Sequence, residues 1–447
     1  MTQENKGKKF LIGLAILLLI GASGVYLYYA EGEAPSISIQ PEQGFISDET
    51  SIQVEIADKK SGLKGVLVQV RQKERSITLV EERFDKARAR WSTGLQLKGN
   101  RLADAELSIH VEATDRSWVD FWRGNRSQVD AGFVLDTKPP QLSLESYRHN
   151  LNQGGSGLVG FRTNEEVASI GVQVGDFFFP GYAQPNGMYL AMFSYPYNLQ
   201  PGKGDPVLQA KDRAGNVGRM GFNYYVNDKR FPHSTIRIPD SFLQRKMMQF
   251  QDLYPESENL LDLFLKVNRD LRGKNRQELK EIGRETSTEP LWDGRFLRQP
   301  GARKSAFGAR RTYYYQGEKI DDQTHLGVDI ASVARSKVMA SNSGRVVHAG
   351  WMGIYGQSVI IDHGLGLQSL YGHLSKVSVQ PGDSVSKGQT IGRTGATGLA
   401  GGDHLHYAIL ISGVPVNPVE WWDLAWIENN IYPKLSLVAA KAEGEAS

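Results

Sequence analysis

Residues 10–30 carry no charged side chain, and Leu11, Ile12, Leu14, Ile16, Leu17, Leu18, Leu19 and Ile20 crowd the first half of that run. About twenty residues of this kind span a bilayer as a helix. Lys6, Lys8 and Lys9 precede the run and Glu31 and Glu33 follow it, which predicts a single-pass signal anchor with residues 1–9 in the cytoplasm and the rest of the chain in the periplasm. Tyr26, Tyr28 and Tyr29 then fall at the outer interface. The alternative is a cleaved signal peptide, because the most apolar stretch, residues 10–22, has the length of a signal-peptide core. Either way the remaining chain folds after export; a buried soluble helix fits the position and flanks least.

The 447 residues suit roughly two to four domains, each with its own core. Lys and Arg total 52 against 49 Asp and Glu, a net charge of +3, which gives no electrostatic footing for nucleic acid. Cysteine is absent. That removes thiolate ligands, a cysteine nucleophile and disulfides, so a metal would have to be held by histidine, carboxylate or water.

After Pro35 the pattern becomes short alternating runs, such as Ser51-Ile52-Gln53-Val54-Glu55-Ile56 and Leu107-Ser108-Ile109-His110-Val111. Period two between turns predicts half-buried antiparallel strands. A second cycle follows about a hundred residues later, and Ala113-Thr114-Asp115-Arg116 recurs as Ala210-Lys211-Asp212-Arg213. Two β-sandwich repeats are expected, residues 35–136 and 137–230, joined near Pro139-Pro140. They resemble the immunoglobulin-like modules of exported bacterial proteins, a likeness that implies a spacer or binding role and no chemistry; His110 and His149 are read as structural.

Residues 239–290 change period, with Leu260, Phe264, Val267 and Leu271 on one stripe behind possible caps at Asp240 and Ser257, which predicts a helical connector packed on a neighbouring domain. Residues 433–447 are expected to be a disordered tail. Residues 291–425 form the last domain. Its dense glycines and runs such as Ser358-Val359-Ile360-Ile361 predict an all-β sandwich, so the chain as a whole reads as mainly β.

That domain holds His325-Leu326-Gly327-Val328-Asp329, Gly372-His373-Leu374 and His404-Leu405-His406. Alternate residues of a strand share a face, so His325 pairs with Asp329 and His404 with His406. Leu405, Tyr407, Ile409 and Ile411 make the opposite face apolar, which suggests a core on one side and a cleft on the other. These motifs, with Phe307-Gly308-Ala309-Arg310, Tyr371-Gly372-His373-Leu374 and Gly392-Arg393-Thr394-Gly395-Ala396-Thr397-Gly398 in order, resemble the lysostaphin-like zinc endopeptidases that cleave peptidoglycan peptides.

The resemblance implies a lysostaphin-like β-sandwich, the duplicated hybrid motif, over about 130 residues. It also implies one Zn²⁺ held by His325, Asp329 and His406, with the fourth position left to water, and His373 and His404 lining the reaction cleft. His404 is a plausible base, and His373 then stabilises an oxyanion or protonates the leaving amine; spacing does not decide which does which. Families of this kind can also use a tyrosine near the metal, but Tyr313, Tyr314 and Tyr315 do not align securely with it and are left out of the expected site. His348 and His363 read as structural, and Arg298, Arg303, Lys304, Arg310 and Arg311 as a solvated basic surface that could meet anionic wall polymers.

Residues 377–398 also resemble the half-barrel of biotinyl and lipoyl carriers, but no modifiable lysine stands at a hairpin tip. The expected function is a membrane-anchored zinc endopeptidase acting on peptidoglycan stem peptides or cross-links in wall remodelling. Peptidoglycan, the inner membrane and division or envelope proteins docking on the β repeats are its expected partners. The alternative is a non-catalytic wall-binding scaffold or an activator of another murein hydrolase.

Overall fold

A computed structural model describes residues 3–442, with side chains described for 8–438. Residues 1–2 of the expected cytoplasmic tail and 443–447 of the expected disordered tail lie outside the described residues. The chain forms two compact units, Met1–Pro139 with Asp212–Asn216, and Pro140–Lys211 with Val217–Ser447.

The first unit begins with the helix Gln3–Tyr29. Its segment Lys8–Tyr29 has a mean hydropathy of 2.4 over its most apolar window and buries none of it, so it is long and apolar enough to cross a bilayer. A β-sandwich follows. One sheet orders Gly44–Ile46, Arg126–Leu135, Glu106–Asp115, Leu63–Gln72 and Arg75–Arg88; the other orders Ser36–Gln40, Ile52–Ala57 and Arg90–Leu95. Alternation decides what faces the core: Ile52, Val54 and Ile56 are buried while Gln53 and Glu55 are exposed. The recurring aspartate has a local cause. Asp115 Oδ1 accepts from the backbone N–H groups of Ser117 and Asn125, and Asp212 Oδ1 from that of Asn216, so each carboxylate closes a loop.

In the second unit, two four-stranded sheets built from strands between Leu142 and Gly221 form another sandwich. Its core is continuous with that of the last domain, running from Leu158, Val172 and Phe193 to Phe307, Tyr371, Tyr407 and Trp421. The second β repeat, the connector and the last domain are thus one unit rather than beads in series. Glu420 locks this junction: its carboxylate accepts from the backbone N–H of Ser156 at 3.0 Å and from Asn152 Nδ2 at 2.6 Å.

Burial pushes the Glu420 carboxyl up to about 7, with its hydrogen bonds to Asn152 and Ser156 opposing the shift. A carboxyl raised in the folded state favours folding below its unfolded value and loses that contribution as pH climbs through the folded one. Thermal stability should therefore fall as pH rises from 4.5 to about 7, by an amount on the order of 3 kcal/mol at most. Glu420→Gln should flatten this dependence in a melting-temperature series; an unchanged slope would place the titrating group elsewhere.

The last domain centres on one large sheet, ordered Ala302–Ser305, Val328–Ala331, Leu405–Ile411, Leu367–Leu374, Gly356–Asp362, Gly344–Met352 and Ser384–Val385. Leu405, Tyr407, Ile409 and Ile411 face one core, as alternation predicts. The other face is not an open polar surface. Ala408, Leu410, Ile360 and Leu370 pack there against Phe250, Phe264 and Leu279 of the helical connector, which runs from Asp240 to Ile282.

Phe264, Val267 and Leu271 of the expected stripe are buried in this contact and Leu260 packs at its edge. Truncating a buried phenylalanine such as Phe264 to alanine costs about 3–5 kcal/mol. The caps differ from expectation. Asn259, not Ser257, caps the second helix by accepting from the N–H groups of Leu261 and Asp262, and Asp240 lies in the first helical turn without acting as cap. Residues 433–442 of the expected disordered tail are instead helical: Tyr432–Ala442 is one helix, with Leu435 and Val438 packed against the core and Lys434 reaching Arg148 O and Asn430 O. Its small residues are good helix formers with an apolar wall to lie on.

Candidate metal centre

Strand pairing brings the site together. Asp329 on Val328–Ala331 is the cross-strand partner of His406 on Leu405–Ile411, and His406 is also opposite Gly372, one residue before His373. His404 precedes the strand and bridges to Gly395. His325 does not share a strand with Asp329, as alternation suggested; it lies just before Val328–Ala331, held by backbone bonds to Ala309 and Gly308. The turn between them requires a glycine. A Cβ on Gly327 would lie 2.6 Å from His406 Nε2 and 2.7 Å from Tyr407 O.

Three atoms converge. His325 Nε2 lies 2.9 Å from Asp329 Oδ1 and 3.1 Å from His406 Nδ1, and His406 Nδ1 lies 3.1 Å from Asp329 Oδ1. All three residues are buried. The backbone fixes the relevant tautomer of His325: its Nδ1 faces Ala306 O at 3.0 Å, and a carbonyl only accepts, so Nδ1 carries the proton and Nε2 presents a lone pair in the neutral ring. Carbonyl-tied histidines of this kind are the usual second support of metal ligands. Two imidazole nitrogens and one carboxylate oxygen aimed at one point, with no thiolate, form a donor set that suits zinc and leaves a position open.

His373 and His404 complete the cluster, with ring centroids 4.8 Å apart. Each is oriented by the backbone, His373 Nδ1 to Thr397 O and His404 Nδ1 to Gly402 O, both at 2.9 Å. Their Nε2 atoms are thereby left for other partners; that of His404 is 3.5 Å from Asp329 Oδ1. His373 has φ of 63°, a left-handed conformation that costs a non-glycine residue about 1–3 kcal/mol and recurs at functional sites.

Electrostatics differ sharply across the cluster. Burial opposes ionisation of Asp329, but the surrounding histidines His325, His404 and His406 hold its carboxyl well below the usual range. Burial pushes His373 well below the ordinary histidine value, helped by the neighbouring His404 and His406, and takes His406 to about 4. Burial acts downward on His404 too, yet Asp329 outweighs it and raises that ring. Two adjacent imidazoles with opposite tendencies are a natural proton donor and acceptor pair.

A cavity of about 480 Å³ encloses the cluster and is also lined by Ile236, Phe242, Phe264, Arg272, Tyr313, Tyr355 and Leu399. Phe242, Phe264 and Arg272 come from the helical connector, which thus supplies part of the wall. Alternation along Arg310–Tyr315 carried a signal that the motif reading passed over: Arg311 and Tyr313 share a face. Arg311, assigned from sequence to a solvated basic surface, instead donates to Asp329 Oδ2 and Ser305 Oγ, each at 2.8 Å. Arg272 follows a π-helical turn, Val267–Leu271, an irregularity common at functional sites; no sequence pattern announced it. The histidines set aside as structural sit elsewhere: His110 bonds Asp130, His149 bonds Ser146 and Asn223 O, and His363 bonds Ser343 O and Ser369. His348 is half-buried near Gly350 O.

Because Gly327 abuts the ring of His406, Gly327→Ala should displace that ring and weaken zinc affinity by about 10–100-fold, as disturbed ligand support does. Competition with a chelating dye checks this; unchanged affinity would separate His406 from the metal.

Residues 323–418, which contain all five site residues, match Peptidase family M23. Over 95 residues the chain is 44% identical to the DD-carboxypeptidase/endopeptidase Mpg of Neisseria meningitidis, covering 21% of this chain and 22% of that protein. Over 96 residues it is 41% identical to the peptidoglycan DD-endopeptidase ShyA of Vibrio cholerae, covering 22% of each. Over 111 residues it is 34% identical to the murein hydrolase activator EnvC of Escherichia coli, covering 25% of this chain and 26% of that one. The chain thus spans about a quarter or less of the length of these relatives. The C-terminal domain of this chain is a lysostaphin-like domain of peptidase family M23.

Proposed function

We propose that this chain is a membrane-anchored zinc endopeptidase that hydrolyses peptide bonds of peptidoglycan, in stem peptides or cross-links, with its bulk in the periplasm. The observation that carries the reading is the convergence of His325 Nε2, Asp329 Oδ1 and His406 Nδ1 beside two further histidines, His373 and His404, each held by a backbone carbonyl at Nδ1. When bound to these three atoms, zinc would supply Lewis acidity toward water and a peptide carbonyl. His404 and His373 would move protons at Nε2, one accepting from the attacking water and the other donating to the leaving amine. Arg311 positions Asp329 through Oδ2, leaving Oδ1 for the metal. Phe242 and Phe264 of the connector give the cavity an apolar wall, and the N-terminal helix tethers the chain to the membrane.

The test is turnover of isolated sacculi by the full chain in lipid nanodiscs, read as new amino groups and by mass of the released muropeptides. Residues 291–425 alone are a poor reagent, since their removal from the connector uncovers Ile360, Leu370 and Leu410. The likeness to an activator supports a second reading. Zinc binding without released amino groups, together with faster digestion by an added murein hydrolase, would decide for it.

A further inference from the structure

The loop after strand Glu106–Asp115 carries two large apolar side chains in the open: Phe121 is 90% exposed and Trp122 64%. Asp120, Phe121 and Trp122 all have positive φ, at 49°, 55° and 66°. For three successive residues with Cβ atoms this is a strained backbone, and strain of this kind is retained where a function uses it. Bulky apolar groups held out into water on a strained loop call for an occupant.

The same loop is bound to the end of the N-terminal helix. Trp118 N–H donates to Tyr29 O at 2.7 Å, and the two rings stack at 5.1 Å. Next to it, Ser117 Oγ donates to Glu31 O at 2.8 Å, Asn125 Nδ2 to the same oxygen at 2.9 Å, and Ser61 N–H to Glu31 Oε1 at 3.0 Å. These bonds fix the height of the loop relative to the last turn of the helix. Phe121 is three residues from Trp118, so it lies within about 11 Å of it. The headgroup zone on one side of a bilayer is about 5–8 Å deep, the region where tryptophan and tyrosine concentrate. Cations stand beside the apolar pair: Lys64 Nζ donates to Trp122 O, and the exposed Arg123 lies 3.6 Å from Asp120.

We propose that residues 118–124 are a membrane-seated wedge, with Phe121 and Trp122 in the interfacial zone of the bilayer that the N-terminal helix crosses. The inference rests on the anchor reading above. It turns that helix from a flexible tether into one leg of a two-point mount for the first β repeat.

The chain has no cysteine, so Phe121→Cys, Trp122→Cys and Glu74→Cys each create a single labelling point. Glu74 lies in the turn beyond Leu63–Gln72, whose first residue pairs with Asp115, and is therefore about 30 Å along the sandwich from the loop. In the full chain in nanodiscs, an environment-sensitive fluorophore at 121 or 122 should emit to the blue and be quenched severalfold by lipid spin-labelled near the headgroup, with none at 74. Equal water exposure at all three points in a membrane-integral chain would overturn the proposal, and so would equal quenching at all three. Recovery of a processed, soluble chain would overturn the anchor reading instead. The same labels mixed with free vesicles would then judge the loop separately, quenching supporting it and its absence overturning it.

Discussion

Asp329→Ala should leave the chain unable to retain zinc and should bring peptidoglycan hydrolysis down to the uncatalysed background, with His325→Ala doing the same. Asp329 Oδ1 is the atom that His325, His406 and His404 all approach, at 2.9, 3.1 and 3.5 Å. A three-ligand site that loses its only carboxylate loses both a donor and the charge that balances the cation. The substitution also removes one of the two partners of the Arg311 guanidinium, leaving it Ser305 Oγ. This pair is partly buried and its loss touches stability as well, so metal content and thermal unfolding have to be read on the same sample. Asp329→Asn keeps the volume and isolates the charge. Full zinc stoichiometry in both alanine variants would sink the ligand assignment.

The second large effect is expected without metal loss. His404→Ala and His373→Ala should each keep zinc and lower the rate by about 10²–10⁴-fold, the range for a positioned acid or base. Neither contributes an atom to the convergent trio, and each is anchored by a backbone carbonyl, so truncation leaves the ligand geometry standing. Their roles separate in the pH–rate profile. Loss of the group that accepts the proton removes the acid limb, and loss of the donor removes the alkaline limb. A variant that drops zinc together with rate would move its histidine into the metal's own ligand set.

Strand alternation made much of this legible in the sequence. Ile52, Val54 and Ile56 inward, and Leu405, Tyr407, Ile409 and Ile411 on one core, follow from a period of two. The connector's helical stripe was equally plain, but not what it covers. Ala408 and Leu410 are apolar on the histidine face, a hint that the face is covered; the histidines drew attention to a cleft instead. Arg311 and Tyr313 were hidden for a related reason. They fall between the Phe307–Arg310 motif and His325, inside no motif, and only the cavity walls show that their strand turns toward Asp329.

The sequence by itself determined the apolar N-terminal helix, the β alternation and the five histidine and aspartate side chains, because each depends on local order: a run, a period, a motif. Tertiary structure decided which atoms of those side chains meet. It also decided that Arg311 bonds Asp329, that Phe242, Phe264 and Arg272 of the connector line the cavity, and that the second repeat and the last domain share one core braced by Glu420. These are contacts between residues tens to hundreds of positions apart. Their partners are chosen by packing and by the need to satisfy buried polar groups, and neither is written in any local pattern.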